Sequence, residues 1–441
     1  MGGSSPRNVL PSEGGDVTVG DRSRASAFEK LVRWELRFDG LPAWVRQRKL
    51  AILLVLGVVL RVTQFLSNRA LWMDEESLAQ NIVKKSLWEL FGPLSGSQLA
   101  PPGFLVVEWG LFQLLGDHPL VLKIFPLLCG IASLFLFACV AQRCLRPNAV
   151  WIALALFAVS DDLIYFSSEL KQYSTDVAMG LLCTLFALDL VSRPATSLRL
   201  ARFALVGAVA VWFSHPVAFV LAGLGLVLIA SAFAKGERKQ GLSLMLMCLA
   251  WGASFVLVYA VSNEQLGHRG MMWVFWAFAF PPRPLTVIGS AGWLIRSVLY
   301  LFANPLEIRT PLGPTLSALL AFGFFLAGCA SFVRRGADQL FWMLVAPGLI
   351  TLGVACFCLY PFHGRLLLFL VPALLLVIAE GVAWISDSAD SRAVRVVLLG
   401  SLFLLPTIQA TYHLFDPRQR MDFNSRGDRR PEALDPAHFP F

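Results

Sequence analysis

VAFVLAGLGLVLIASAFA (217–234) is eighteen residues without a charge, and KGERK (235–239) follows it at once. A half-buried strand alternates polar and apolar residues, and a surface helix keeps a polar face at a period of 3.6. This run does neither. An uncharged stretch of about 18 or more residues fills the hydrocarbon core of a bilayer as a helix, with every backbone group bonded internally. Working outward, similar runs are predicted near 50–67, 120–141, 149–166, 175–192, 202–214, 242–261, 315–333, 340–359, 366–386 and 394–412. Of the 441 residues 56% are hydrophobic and 15% charged, against about 25% charged in soluble domains. A soluble enzyme, a disordered chain and a single-anchor protein are excluded. The fold class is an all-α polytopic membrane protein with about eleven transmembrane helices.

The net charge of +8 resides in loops, where it reports orientation rather than a nucleic-acid partner. With the N-terminus inside, the inner segments carry Arg143/Arg146, Arg193/Arg199/Arg202, Lys235/Arg238/Lys239, Arg334/Arg335 and Arg392/Arg395. Residues 1–25 read as a Gly/Ser/Pro-rich tail, and 26–48 as a basic amphipathic helix on an anionic inner leaflet. No signal peptide is expected, so the first apolar run stays as an anchor. The chain then divides into a cytoplasmic tail (1–48), a first transmembrane module (49–262), an outer loop (263–314), C-terminal spans (315–412) and a short polar tail (413–441). The module contains a large first outer loop (68–119). PPGFLVVEWGLFQLL (101–115) is short and contains Glu108; counting it as a span would turn the basic loops outward. Two interfacial helices are therefore predicted in the first outer loop, at 74–91 and 101–115, with a similar surface element at 286–303. The eight Cys lie in or beside apolar runs without C-x-x-C spacing, so neither a disulfide nor a zinc framework is expected.

Polar residues beside a membrane are costly, and that makes them informative. LWMDEESLAQNI (71–82) puts Asp74 next to Glu75, about 100° apart on a helix. One can face a substrate while the other binds a metal or a backbone donor; alternatively the acids merely favour a helix N-terminus. YFSSELKQYSTD (165–176) gathers Glu169, Lys171, Tyr173 and Asp176 at a short outer loop, as a site or as a solvated cap. In YPFHGRLLLFLVPAL (360–374), His363 and Arg365 open an apolar run on the outer side. Arg365 there is either a phosphate clamp or a snorkelling anchor. Asp161 and Asp162 are expected to face the interior or a wet cavity. The six His have no zinc-type spacing.

LWMDEESLAQNI (71–82), SQLAPPGFL (97–105), SSELKQYSTD (167–176), WFSHPVAFVLAG (212–223) and HGRLLLFLVPAL (363–374) together resemble the C-type membrane glycosyltransferases. The subgroup is that of the dolichyl-phosphate-mannose–protein mannosyltransferases and aminoarabinose transferases. The pieces occur in family order over about residues 50–380. The resemblance implies that Asp74 is the first-loop catalytic acid, Asp176 the second-loop acid and Arg365 a donor-side basic residue. Some relatives carry a sizeable outer domain after the last span, where this chain has only about 30 polar residues.

The resemblance implies a polyprenyl-phosphate-linked sugar donor and a glycan, lipid or protein acceptor. The lipid phosphate leaves as a stable anion, so a cation must hold it; Arg365 or Lys171 suits. Asp74 would take the acceptor's proton, giving inversion at C1 by single displacement. Asp74, Glu75 and Asp176 are the catalytic candidates; Glu169, Lys171, Tyr173, His363 and Arg365 the substrate-binding ones. Asp74 or Asp176 could also take a divalent ion, as in some relatives. The expected location is a bacterial inner membrane with the site facing the periplasm. A lipid-linked glycan flippase and a polysaccharide ligase are the alternatives.

Overall fold

The computed structural model describes residues 43–116, 118–193, 195–266, 274–388 and 391–419. The N-terminal tail, most of its basic helix, His268 and most of the polar tail lie outside the described residues. Within them the protein is helical, with no strand: α1 (Ala43–Leu66), α2 (Met73–Lys84), α3 (Pro102–Leu115), α4 (Ile124–Cys144), α5 (Pro147–Val159), α6 (Asp161–Tyr165), α7 (Tyr173–Ser192) and α8 (Ser197–Phe213). The second half carries α9 (Val217–Ala234), α10 (Arg238–Leu266), α11 (Val287–Ala303), α12 (Pro314–Arg334), α13 (Asp338–Cys356), α14 (Val371–Ser388) and α15 (Arg392–Phe415).

Among the described residues nine helices are long and apolar enough to cross a membrane, and up to ten if α5 and α6 form one bent span. The predicted span 202–214 is α8, which has 17 residues and packs against α7 and α10.

The predicted span 149–166 is not one helix. It bends by 55° between α5 and the segment beginning at Asp161, where Ser160 is extended at φ −63°, ψ 116°. Asp161 and Asp162 restart the helix as acids at its positive N-terminus. The break leaves the last carbonyls of α5 without helical donors. Arg61, 1% exposed and five residues from the end of α1, donates to Phe157 O and Ala158 O at 3.4 Å and to Gly57 O at 3.0 Å. A cation at membrane depth is tolerated when carbonyls receive it in this way.

The span that ends in α14 is the axis of the bundle: 89% of its apolar window is buried, against 22% for α10 and 11% for α15. The last two present their apolar sides outward, as lipid-facing helices do. α12 crosses α14 in backbone contact. A Cβ on Gly328 would sit 1.9 Å from Val377 O, and one on Gly381 2.1 Å from Phe324 O, so no larger residue fits either position.

Charge gathers at the two ends. At one, the predicted inner basic residue Arg146 donates to Glu380 through its backbone N–H (3.2 Å) and Nε (2.8 Å). Ser331 Oγ donates to the same carboxylate at 3.0 Å. At the other end the first loop packs on itself: Leu78, Ile82, Leu90, Phe104, Leu105 and Leu122 form a buried cluster with Leu170 of the second loop. The predicted helix 74–91 stops at Lys84, because Ser86 donates its N–H and Oγ to Glu89 and starts a separate turn. The predicted helices 101–115 and 286–303 correspond to α3 and α11.

Candidate active site

Glu75 is the third residue of α2, and its carboxylate folds back to accept from Trp72 N–H at 3.0 Å, closing the helix start. The same carboxylate accepts both nitrogens of the Arg69 fork, at 2.7 and 3.1 Å. It also accepts the Leu170 N–H at 2.8 Å, and is fully buried. Arg69 Nη2 lies 3.9 Å from Glu169 Oε2, and Lys123 Nζ donates to Arg69 O at 2.6 Å. Two cations and two carboxylates thus share one buried frame, and each compensates the cost of burying the others. This frame fixes the first loop against the second.

Asp74 lies about 100° further round α2 and has a different partner. Arg365 Nη2 donates to its Oδ2 at 2.5 Å, in a pair whose side chains are 18% and 34% exposed respectively. Arg365 sits in the 3-10 helix Gly364–Leu370 that leads into α14, and its guanidinium carbon is 5.8 Å from the Tyr173 ring centre. Lys171 donates to Gln98 Oε1 at 2.5 Å. Burial lowers the Lys171 pKa to about 8, against the opposing fields of Asp74 and Glu169. Asp74, Glu75, Glu169, Lys171, Tyr173 and Arg365 therefore come together, although three distant segments supply them.

The other two candidates have different surroundings. Asp176, one turn after Tyr173, is buried and hydrogen-bonded to Ser214; among the described residues no hydrogen bond or ion pair joins it to Asp74 or Arg365. His363 stacks on Tyr300 (ring centres 4.4 Å, planes 19° apart) and meets Phe278 edge-on at 4.9 Å. Burial lowers the pKa of His363 and favours its neutral imidazole. Asp161 and Asp162, expected to face the interior or a wet cavity, both engage Arg418. Glu108 is buried in α3 and is pushed by that burial well above the usual carboxylate range, which keeps it neutral.

Sequence reasoning missed Arg69, Lys123 and Gln98. The rule that singled out Arg365, a cation at an outer end, applies equally to Arg69 and Lys123. Of the two candidate metal ligands, Asp74 engages Arg365 and Asp176 engages Ser214. Among the described residues no group of three or more His, Cys, Asp or Glu could hold an ion.

No family model and no curated protein sequence matches this chain. Solved structures do. The oligosaccharyltransferase of Archaeoglobus fulgidus in its apo form aligns with TM-score 0.50 at 14% identity, covering 85% of this chain and 56% of that one. The same archaeon's AglB, in complex with an inhibitory peptide and a dolichol-phosphate, gives 0.49 at 14%, with coverage of 85% and 56%. ArnT from Cupriavidus metallidurans in the apo state gives 0.48 at 15%, with 82% and 64%. The chain spans little more than half the length of the oligosaccharyltransferase. What the chain shares with the oligosaccharyltransferase is the fold alone.

Proposed function

We propose that this integral multi-pass protein is a glycosyltransferase that moves a sugar from a polyprenyl-phosphate donor to an acceptor at the outer face of the membrane. The observation that carries the reading is the Asp74–Arg365 pair: a carboxylate and a guanidinium, 2.5 Å apart and partly open to solvent. A closed frame lies beside the pair, and the apolar helix α14 begins just past it. A lipid-linked substrate needs this combination, since its tail stays among helices while its phosphate and sugar stand at the aqueous edge.

Arg365 and Lys171 would hold the phosphate oxygens. The guanidinium fork suits two oxygens at once, and the ammonium adds a point charge. When the phosphate takes Arg365, Asp74 loses its partner and becomes a free carboxylate beside the sugar. Asp74 then accepts the proton of the acceptor hydroxyl or amine as that atom bonds to C1. The C1–O bond to phosphate breaks with its electron pair, and the polyprenyl phosphate leaves as an anion. One displacement inverts C1. Glu75, used up by four donors, orients α2 and takes no proton. Asp176 and His363 stand outside this step and are left to line the acceptor side.

The test is release of polyprenyl phosphate by purified protein in nanodiscs, given a panel of polyprenyl-phosphate hexoses and pentoses with membrane extract as acceptor. Release from at least one donor, with an inverted product linkage, is expected. A protein that binds these lipids but releases phosphate from none, or whose product retains configuration, contradicts the reading.

A further inference from the structure

The short segment after α15 returns to the bundle and is held there at several points. Gln64 of α1 clamps the Arg418 backbone twice, donating to its carbonyl at 2.9 Å and accepting its N–H at 3.0 Å. The Arg418 guanidinium reaches across the break before α6: Nη1 donates to Asp161 Oδ2 at 2.8 Å and to Asp162 Oδ1 at 2.7 Å, with Glu307 Oε2 at 3.8 Å. Gln409 also donates to Asp161, at 2.7 Å, and His413 Nε2 lies 3.7 Å from it. The two aspartates are only 10% and 5% exposed. Adjacent buried carboxylates repel each other unless a cation lies between them, and Arg418 is that cation.

From Arg418 a line of rings runs to the site. Its guanidinium carbon lies 4.9 Å from the Tyr165 ring centre, and that of Arg69 lies 4.8 Å from the same ring. Tyr165 meets Phe166 edge-on at 5.2 Å, and Phe166 meets Tyr173 at 5.1 Å. Tyr173 in turn lies beneath Arg365, and Ser174 Oγ donates to Phe166 O at 2.8 Å to hold the turn.

We propose that Arg418 is a positioning residue, the end of a strap that bridges Asp161 and Asp162 and thereby sets the aromatic turn 165–173 on which Arg365 rests. Its effect on donor binding rests on the function proposed above; its hold on the turn does not. A line of contacts alone does not establish coupling, so the test reads both ends. Wild type, Arg418→Ala and Arg418→Lys are compared in nanodiscs for geranylgeranyl phosphate binding and for hydrogen exchange over 165–173.

In Arg418→Ala, binding should weaken about tenfold and protection of the turn should fall. Millimolar methylguanidinium should restore both. Arg418→Lys should restore little, because a point charge bridges two carboxylates and a ring poorly. If Arg418→Ala fails to fold, Asp162→Asn/Arg418→Ala removes one of the stranded charges and serves in its place. Unchanged exchange, or, where the wild type binds, altered exchange with unchanged binding, overturns the proposal. A wild type that binds no prenyl phosphate, yet loses protection without Arg418 and regains it with methylguanidinium, refutes the proposed function and upholds the strap.

Discussion

Where α5 and α12 meet α14, Glu380 is fully buried and accepts from the Arg146 backbone and side chain and from Ser331. At the other end Asp74 bonds, among the described residues, to Arg365, and a third of its side chain is open to solvent. Glu75, the next residue, resembles Glu380 more than its neighbour: buried, with four donors. A carboxylate that only holds the fold has its lone pairs used and no access for a new partner. One that exchanges partners keeps an open side on a rigid support. The difference lies in what surrounds each residue, since all three are ordinary acids.

Substitutions can break this contrast. The largest effect should follow Asp74→Asn, which keeps size and hydrogen bonding but removes the base: turnover at matched folded protein should fall about 10²–10⁴-fold. Near-normal turnover would move the base to another residue. At the opposite end, Arg146→Ala leaves the Glu380 carboxylate short of its main cation and should cost about 2–3 kcal/mol of stability, read as a lowered melting temperature in detergent. Turnover per folded molecule should be unchanged; a loss there would mean that the two ends are coupled.

Arg365→Lys distinguishes a clamp from an anchor. Losing one charge-assisted bond of about 1.5–3 kcal/mol should lower the donor specificity constant roughly ten- to hundredfold, whereas an anchor would tolerate the change. The smallest effect concerns pH. Lys171, with its pKa lowered to about 8, is charged below that value and neutral above it. Donor affinity should therefore fall a few-fold as pH rises through about 8, and Lys171→Arg should remove that dependence. An unaltered pH profile in Lys171→Arg would show that Lys171 does not contact the phosphate.

The sequence made much of this legible. Long uncharged runs set the helices, alternating basic loops set the ends, and the out-of-place cation Arg365 pointed to its need for a partner. That the partner is Asp74, 291 residues away, was not readable, because no local pattern encodes which loops meet. The break at Ser160 was hidden for a different reason: no Pro or Gly marks it, and apolar residues resume directly after Asp161 and Asp162. Arg61 was the available clue, since a cation within a span calls for carbonyl acceptors, and a helix break supplies them. Arg418 lay in a polar tail where charge is unremarkable, so its role came entirely from packing.

The central claim is that Arg365 has two competing partners, the Asp74 carboxylate at rest and the lipid phosphate in the working enzyme. Titrating geranylgeranyl phosphate into wild type and Asp74→Asn in nanodiscs tests it directly. The account predicts tighter binding to Asp74→Asn, by about tenfold for one charged pair no longer opposed, in the same variant that turns over most slowly. Equal or weaker binding to Asp74→Asn would contradict it.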